Sequence, residues 1–273
     1  MGARRRFERA VVVISGGAGG LGAAFAQRFA RAGASIALLD ADPQKLDATC
    51  GRLRAFGANC VGLACDVTDE TAVSSAVDQV KLRYGGIDVL INNAGITHRS
   101  FFTDTAPAVL RKVIAVNLFG SIHCTKAALS SLLERRGLII VISSIAGIAP
   151  LAERTGYAAG KHALHGLFGS LRAELSGTGV DVLIVCPGFT ATGISSAALG
   201  GDGKPAPQPQ TTVGKLATPE SVADAVFDAA TRGRRMIVLT PVGKLTALLQ
   251  KLWPALYERL MTRSLERSRQ AAK

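Results

Sequence analysis

The stretch Val11-Val12-Val13-Ile14-Ser15-Gly16-Gly17-Ala18-Gly19-Gly20-Leu21-Gly22 decides the fold. Its apolar run predicts a buried strand, and its glycines predict a tight turn leading into a helix. A strand, turn and helix in this order bring backbone N–H groups and the positive end of a helix dipole to one point, which suits a pyrophosphate. Side chains at the turn would block that approach, so the stretch predicts a dinucleotide site.

Apolar runs of strand length alternate with segments of helical period as far as about residue 240. The predicted strands are 10–15, 35–40, 59–65, 87–91, 137–143, 180–185 and 236–239, and the predicted helices are 20–32, 43–56, 69–84, 107–134, 156–177 and 219–231. This alternation predicts an α/β fold with a doubly wound, seven-stranded parallel sheet, Rossmann-like, with helices on both faces. We expect residues 1–241 to form a single catalytic domain with its ligand cleft at the carboxyl ends of the strands.

Two segments break this rhythm. Residues 193–215 are rich in Gly, Pro, Ser and Gln, which predicts a mobile substrate loop or lid. Residues 242–273 place leucines and aromatics at helical spacing opposite basic residues, which predicts an amphipathic helical extension kinked at Pro254. Three interpretations of this tail stay open: an oligomer contact, a cover on the same subunit, or a helix at an anionic membrane surface. We favour the two in which it packs on protein.

Composition limits the class of protein. The chain has 273 residues, a net charge of +12 and five cysteines, which are irregularly spaced and form no C-x-x-C pair. These cysteines predict buried thiols in a reducing compartment. Much of the positive charge lies near the two ends, and no stacking aromatics are interleaved with it, so nucleic acid is not an expected partner. With no apolar run of eighteen residues, we expect a cytoplasmic protein whose tail can reach a membrane surface.

Two aspartates follow predicted strands on the same side of the sheet. Asp40 ends the second strand, about twenty residues after the glycine turn, where its carboxylate can accept hydrogen bonds from both ribose hydroxyls of an adenosine. A 2′-phosphate at that position would meet a like charge. Asp66 ends the third strand and can bond an adenine amino group. The alternative for each is a turn or helix-cap role.

Tyr157 and Lys161 are the candidate catalytic pair. Positions four residues apart share one face of a helix, so the Lys161 ammonium can favour an ionised Tyr157 phenol. Tyrosine has a reference pKa of about 10, so proton transfer near pH 7 needs roughly 4 kcal/mol of differential stabilisation. Ser144 closes the fifth strand, where its hydroxyl can bond a reacting oxygen.

We expect no metal site, because His162 and His165 lack a carboxylate partner, and His98 is interpreted as an exposed loop residue or a substrate neighbour.

These motifs together resemble the short-chain dehydrogenase/reductase family over residues 11–239. Ser15-Gly16 with Gly20 and Gly22 is similar to the family's Thr-Gly-x-x-x-Gly-x-Gly turn, with serine in place of threonine, and Asn92-Asn93-Ala94-Gly95 matches its Asn-Asn-Ala-Gly motif. Pro187-Gly188 with Thr192 resembles the segment that holds the nicotinamide carboxamide.

The resemblance implies the catalytic residues Ser144, Tyr157, Lys161 and Asn117, the last of which positions a water leading to the lysine. It also implies NAD as cofactor, since Asp40 matches the acidic residue of NAD-preferring members. The cofactor-binding residues expected on these grounds are Ser15, Gly16, Gly20, Leu21, Gly22, Asp40, Asp66, Val67, Asn93, Ala94, Gly95, Tyr157, Lys161, Pro187, Gly188, Thr190 and Thr192.

The expected activity is interconversion of a secondary alcohol and a ketone by a homodimer or homotetramer. The apolar composition and the basic amphipathic tail favour a small apolar alcohol or ketone of steroid, retinoid or long-chain acyl type. Two alternatives are a 3-oxoacyl-thioester reductase, whose acidic carrier would meet the basic surface, and a non-catalytic NAD-sensing regulator. Asp40 argues against the first alternative and the intact catalytic set against the second.

Overall fold

The computed structural model describes residues 5–206 and 216–271. Within them the strands are β1 (Val11–Ser15), β2 (Ser35–Asp40), β3 (Cys60–Ala64), β4 (Val89–Asn92), β5 (Leu138–Ile142), β6 (Asp181–Cys186) and β7 (Met236–Val238). All neighbouring strands pair in parallel, in the order β3-β2-β1-β4-β5-β6-β7. The predicted doubly wound, seven-stranded sheet is therefore confirmed.

Helices cover both faces of the sheet. In the described chain they are α1 (Gly20–Ala30), α2 (Pro43–Ala55), α3 (Glu70–Tyr84), α4 (Pro107–Ile114), α5 (Gly120–Glu134), α6 (Thr155–Glu174), α7 (Pro219–Thr231), α8 (Pro241–Leu252) and α9 (Pro254–Ala271). Side chains alternate across each strand, so β1 buries Val12 and Ile14 against α1, α2 and α7. It buries Val11 and Val13 in a second core with α3, α5 and α6.

The order of the strands positions the site. β1 pairs with β2 on one side and with β4 on the other, so the chain winds outward in opposite directions from this point. Loops leaving the carboxyl ends of β1 and β4 then diverge and open a crevice between them. The glycine turn and the Asn-Asn-Ala-Gly segment lie at this crevice.

The predicted helix 107–134 is interrupted in its middle. Residues Ala115–Phe119 form a π-helical turn between α4 and α5. The Asn117 amide donates to the Val113 carbonyl at 2.8 Å, and so occupies an acceptor of the preceding turn. Such π-turns are rare and concentrate at functional sites.

The same helix is apolar enough for its length and composition to match a membrane span. Residues Pro107–Glu134 meet that criterion, with 39% of the apolar window buried, although the sequence had led us to expect no such stretch. Cys124, Ala128 and Leu132 of α5 are fully buried in the second core. One face of α5 therefore belongs to the second core of the α/β sandwich.

The first part of the predicted substrate loop is tied to the segment after β4. Leu199 donates its N–H to the Thr97 carbonyl at 2.9 Å, and Arg99 returns an N–H to the Leu199 carbonyl at 2.7 Å. Ala198 is buried beneath this bridge. Residues 207–215 of the predicted loop lie outside the described residues, and its role as a lid stays a prediction.

The tail forms two helices. The predicted kink at Pro254 is a break, because Trp253 has φ −139° and ψ 65° and Pro254 begins α9. Tyr257 of α9 donates its hydroxyl to the Pro150 carbonyl at 2.8 Å, and Gly243 of α8 packs against Ile145. One side of the tail thus covers the body of the same subunit.

Candidate active site

The glycine turn is shaped by close backbone contacts. Gly16 has φ +63°, and a Cβ there would lie 2.8 Å from the Ala94 Cα. A Cβ on Gly22 would collide with the Gly16 carbonyl oxygen. Glycine is therefore required at both positions by the protein itself, before any ligand is considered.

Ser15 and Asn93 join the turn to the end of β4. The Ser15 hydroxyl oxygen accepts the N–H groups of Asn93 at 3.0 Å and Ala94 at 3.1 Å. The Asn93 amide donates to the Ser15 and Gly16 carbonyls at 3.0 and 2.9 Å. These bonds hold the two loops of the crevice in register.

A cavity of about 1860 Å³ lies above these loops at the carboxyl ends of the strands. Most of the predicted site residues line it: Gly16, Gly20, Leu21, Asp40, Asp66, Val67, Asn93, Ala94, Gly95, Ser144, Tyr157, Lys161, Pro187, Gly188, Thr190 and Thr192. Ser15, Gly22 and Asn117 are not among the lining residues, and the assignment of Ser15 and Gly22 to cofactor binding stays a prediction. They support the turn from beneath.

The two aspartates differ in how they are held. Asp40 accepts the Ala18 N–H at 2.9 Å through one oxygen and the Asp42 N–H at 3.1 Å through the other. Asp66 is exposed and accepts the N–H and hydroxyl of Thr68 at 2.9 and 2.8 Å through a single oxygen. The helix-cap alternative applies to their neighbours, since Asp42 caps α2 and Asp69 caps α3.

Tyr157 and Ser144 meet at the floor of the cavity. Ser144 follows β5, and its hydroxyl accepts the Ala146 N–H at 3.1 Å, which caps a short 3₁₀ turn and orients the side chain. The pKa of Tyr157 is raised above its ordinary value, chiefly because the phenol loses solvation, and the hydrogen bond with Ser144 and the positive charge of Arg154 offset this rise only in part. The sequence had suggested Lys161 for this electrostatic role.

Lys161 lies behind the tyrosine. Its ammonium is 5.7 Å from the centre of the Tyr157 ring and donates to the Ile142 carbonyl at 2.8 Å. The residue is only 3% exposed, and burial lowers the pKa of its ammonium to about 8. Its proton is therefore held less tightly than that of a surface lysine.

Asn117 is fully buried beside Lys161. Its amide nitrogen donates to the Ile96 and Val113 carbonyls, both at 2.8 Å, whereas its Oδ1 has no protein partner within the described residues. A Cβ on Gly95 would lie 2.7 Å from that oxygen and 3.5 Å from the Lys161 Nζ. Gly95 thus leaves a small polar space between the asparagine and the lysine.

Two functional positions were missed or misjudged from sequence. Arg154 is only 7% exposed, donates to the Thr97 hydroxyl at 3.0 Å and lines the cavity three residues before Tyr157.

His98 is fully buried, and its Nε2 accepts the Gly156 N–H at 3.0 Å, so the interpretation as an exposed or substrate-facing residue is wrong. It holds the N-terminus of α6, and therefore Tyr157, in place.

The cavity fits a nicotinamide dinucleotide by several independent features. At one end are the glycine turn, the N-terminus of α1 and the carboxylate of Asp40, which suit a pyrophosphate and an adenosine ribose. Towards the catalytic residues, the Pro187 carbonyl accepts the N–H of Ile145, the residue after Ser144, at 3.2 Å, whereas Thr192 lies next to Gly20 of the glycine turn. The orphaned Asn117 oxygen adds a polar position behind the reacting groups.

The fold and this constellation define a class, and the comparison with known families agrees. The model of the short chain dehydrogenase family matches residues 10–200. The chain therefore belongs to the short-chain dehydrogenase/reductase family of oxidoreductases, as the motifs predicted.

Individual relatives extend over nearly the whole chain. Dehydrogenase/reductase SDR family member 7B of Danio rerio is 36% identical over 94% of this chain and 86% of its own length. The 2-(S)-hydroxypropyl-CoM dehydrogenase 3 of Xanthobacter autotrophicus is 35% identical over 81% of this chain and 89% of its own length. A crystal structure of a short chain dehydrogenase/reductase from Burkholderia phymatum in complex with NAD superposes with a TM-score of 0.83 at 27% identity, covering 92% of this chain and 96% of that one.

Proposed function

We propose that the protein is an NAD-dependent oxidoreductase that interconverts a secondary alcohol and a ketone on an apolar substrate. The observation that carries the proposal is the meeting of Ser144, Tyr157 and Lys161 at the floor of one cavity whose other end has the features of a dinucleotide site.

Each residue has a defined task in this reaction. Tyr157 exchanges a proton with the substrate oxygen, accepting it when an alcohol is oxidised and donating it when a ketone is reduced. Ser144 donates a hydrogen bond to the same oxygen, and its own orientation is set by the 3₁₀ turn it caps. The bound nicotinamide supplies the hydride acceptor or donor.

We assign Lys161 and Asn117 to proton transfer rather than to the reaction at the substrate carbon. Lys161 can give up or take back a proton near neutral pH because burial has lowered its pKa to about 8. The unpaired Oδ1 of Asn117 and the Lys161 ammonium both lie close to Gly95, and this arrangement supports a proton path that leads away from Tyr157 through the space behind Gly95.

Asp40 supports NAD in preference to NADP. Its carboxylate lines the cavity after β2, where it would repel a 2′-phosphate. Lys45 also lines the cavity nearby, but its ammonium pairs with Asp42 at 2.6 Å. The NAD bound to the Burkholderia phymatum relative supports the same choice.

The lining near the catalytic residues supports an apolar substrate. Ile145, the residue after Ser144, lines the cavity together with Leu151 and Phe189, and Leu260 and Met261 of α9 add to its lining. Such a surface favours the burial of an alkyl or ring system next to the reacting carbon.

A second candidate substrate class is an acyl thioester. Arg99, Lys112 and Arg154 all line the cavity, and their positive charges favour a substrate that carries an anionic group, as a 3-oxoacyl thioester of a phosphate-bearing carrier does.

For the assembly and location we propose a homodimer or homotetramer in the cytoplasm, which analytical ultracentrifugation and cell fractionation would test.

The direct test is formation of NADH from NAD over a panel of apolar secondary alcohols, with Tyr157→Phe as the variant. We expect its rate to fall by about 10²- to 10⁴-fold with NAD binding retained. Tyr84→Phe is the matched control, because Tyr84 lies at the end of α3 and bonds Asn59 away from the cavity. Equal activity of Tyr157→Phe and wild type would refute the mechanism, and activity with oxoacyl thioesters alone would select the second substrate class.

A further inference from the structure

The tail presents a continuous apolar surface to solvent. Six large side chains of α8, α9 and the break between them are each between 45% and 57% exposed: Leu245, Leu248, Leu252, Trp253, Leu256 and Leu260. We call these six residues the tail face. They lie next to one another in a chain whose other large apolar side chains are mostly buried, and contiguous patches of this kind mark interaction sites.

On α8 the tail face is one side of an amphipathic helix. Leu245, Leu248 and Leu252 recur at spacings of three and four residues and so share a face. Lys244 and Lys251 are exposed along one edge of that face. The opposite edge turns towards the cavity, where Gly243 and Thr246 lie.

α9 repeats this arrangement. Leu256 and Leu260 are four residues apart on α9 and follow the exposed Trp253 at the break, and Arg259 and Arg263 are exposed along one edge. The other edge carries Tyr257 and Met261, which line the cavity. Both helices therefore have a cavity edge, an exposed apolar stripe and a basic edge, in that order.

The charge of the two helices identifies the kind of surface that the tail face meets. Lys244, Lys251, Arg259 and Arg263 border it, and among the exposed residues 241–263 Glu258 is the single acidic side chain. A second copy of the chain on the same face would carry the same four basic residues and the same single acidic residue, so it would add like charge around the contact rather than complementary charge. An anionic lipid bilayer instead provides an acyl-chain region in which the leucines can be buried and negatively charged headgroups that attract the basic edge.

Trp253 strengthens this assignment. Its ring is 57% exposed at the break between α8 and α9, in the middle of the tail face. An indole with an apolar body and a polar N–H is well suited to the boundary between lipid headgroups and acyl chains.

We propose that the tail face docks on an anionic membrane surface and brings the mouth of the cavity to the bilayer. Leu260 belongs both to the tail face and to the cavity lining, so the exposed apolar surface continues into the cavity. An apolar molecule leaving the bilayer can follow this path without crossing water. The docking itself is independent of the proposed function, whereas the use of the path by a substrate rests on it.

The test is co-sedimentation of the full chain with vesicles of phosphatidylcholine alone or with about 30% phosphatidylserine. We expect binding to the anionic vesicles that weakens at high salt. Leu248→Asp should lower the vesicle-bound to free ratio by at least about tenfold, because Leu248 is at the centre of the α8 stripe. Lys251→Glu should lower it about fivefold. Neither residue lines the cavity, so turnover on a soluble substrate should be unchanged.

Matched controls separate docking from general surface effects. Leu82→Asp replaces a leucine that is 87% exposed on α3, and Lys126→Glu reverses an exposed charge on α5. Both should bind vesicles as the wild type does. The proposal is overturned if the wild type does not sediment with anionic vesicles, if Leu248→Asp binds as well as Leu82→Asp, or if Leu248→Asp converts a dimer to a monomer without changing vesicle binding. Vesicle binding is measured without turnover. An enzyme that is inactive on every substrate would therefore refute the proposed function, and the co-sedimentation result would still test membrane docking.

Discussion

The ammonium of Lys161 donates a 2.8 Å hydrogen bond to the backbone carbonyl of Ile142, the last residue of β5. A buried lysine is thus anchored to the strand that also delivers Ser144, so both groups share one rigid support. The same burial that fixes the side chain lowers the pKa of its ammonium to about 8.

This lowered pKa predicts a pH-dependent stability. Between pH 8 and 10.5 the folded state binds fewer protons at Lys161 than the unfolded state, so the free energy of unfolding should rise with pH across this window. Below pH 8 the lysine is charged in both states and the cost of burying the charge is fully present. The whole shift corresponds to a gain on the order of 3 kcal/mol, of which about 2 kcal/mol is reached by pH 9.5. Lys161→Met should lack this gain in urea titrations at pH 7 and 9.5, while Lys126→Met on the surface of α5 should keep it. Parallel pH profiles for Lys161→Met and wild type would contradict the prediction.

Arg154 should set the pH dependence of turnover. Its positive charge lowers the pKa of Tyr157, so Arg154→Met should move the apparent pKa for alcohol oxidation upward. We expect kcat/KM to fall by up to about tenfold at pH 7 and to recover at high pH. Arg154→Lys keeps the charge and should restore most of the wild-type profile. Arg135→Met is the control, since Arg135 bonds Asp88 and Gly85 away from the cavity. A uniform loss at every pH would show that Arg154 acts only in packing.

Asp40 should control the choice of dinucleotide. Asp40→Asn keeps an oxygen for the Ala18 N–H but removes the charge that opposes a 2′-phosphate. The ratio of Kd for NADP to Kd for NAD should therefore fall by about tenfold, measured by calorimetric titration. Asp47→Asn, on the exposed side of α2, should leave the ratio unchanged. An unaltered ratio in Asp40→Asn would place the discriminating contact elsewhere.

Gly95 should be intolerant of a methyl group. Gly95→Ala would push a Cβ to 2.7 Å from the Asn117 Oδ1, close to the Lys161 ammonium. We expect about 1–3 kcal/mol of destabilisation and a lowered kcat, followed by thermal unfolding and by turnover. Gly166→Ala on α6 meets open space, and it should instead stabilise the protein by up to about 1 kcal/mol. Wild-type kcat in Gly95→Ala would mean that the space behind Gly95 has no part in proton transfer.

Local patterns predicted much of the candidate site. Most of the predicted residues at the glycine turn, after β2 and after β4 line the cavity, because each motif sits at a strand end whose position the parallel sheet dictates. Ser15 and Gly22 are exceptions of one kind. Neither lines the cavity, because side-chain hydrogen bonds of Ser15 and backbone packing at Gly22 stabilise the turn itself, and their assignment to cofactor binding stays a prediction.

His98 and Arg154 could not be placed from sequence. Neither lies in a segment of apolar period, and each side chain is held by a partner distant in the chain. His98 is buried because Gly156, 58 residues later, donates its N–H to the imidazole. Arg154 acts on Tyr157 because the N-terminus of α6 faces the cavity.

The sequence by itself determined the sheet, the family and the catalytic residue types, because strand periodicity, glycine turns and the i, i+4 pair Tyr157 and Lys161 are local properties of the chain. Only the tertiary structure decided which groups surround Tyr157, that the unpaired Asn117 oxygen and the Lys161 ammonium both lie near Gly95, and that α8 and α9 line the cavity while exposing the tail face. These relationships depend on burial and on contacts between residues far apart in the chain, and the free energies of such contacts are defined only once the chain has folded.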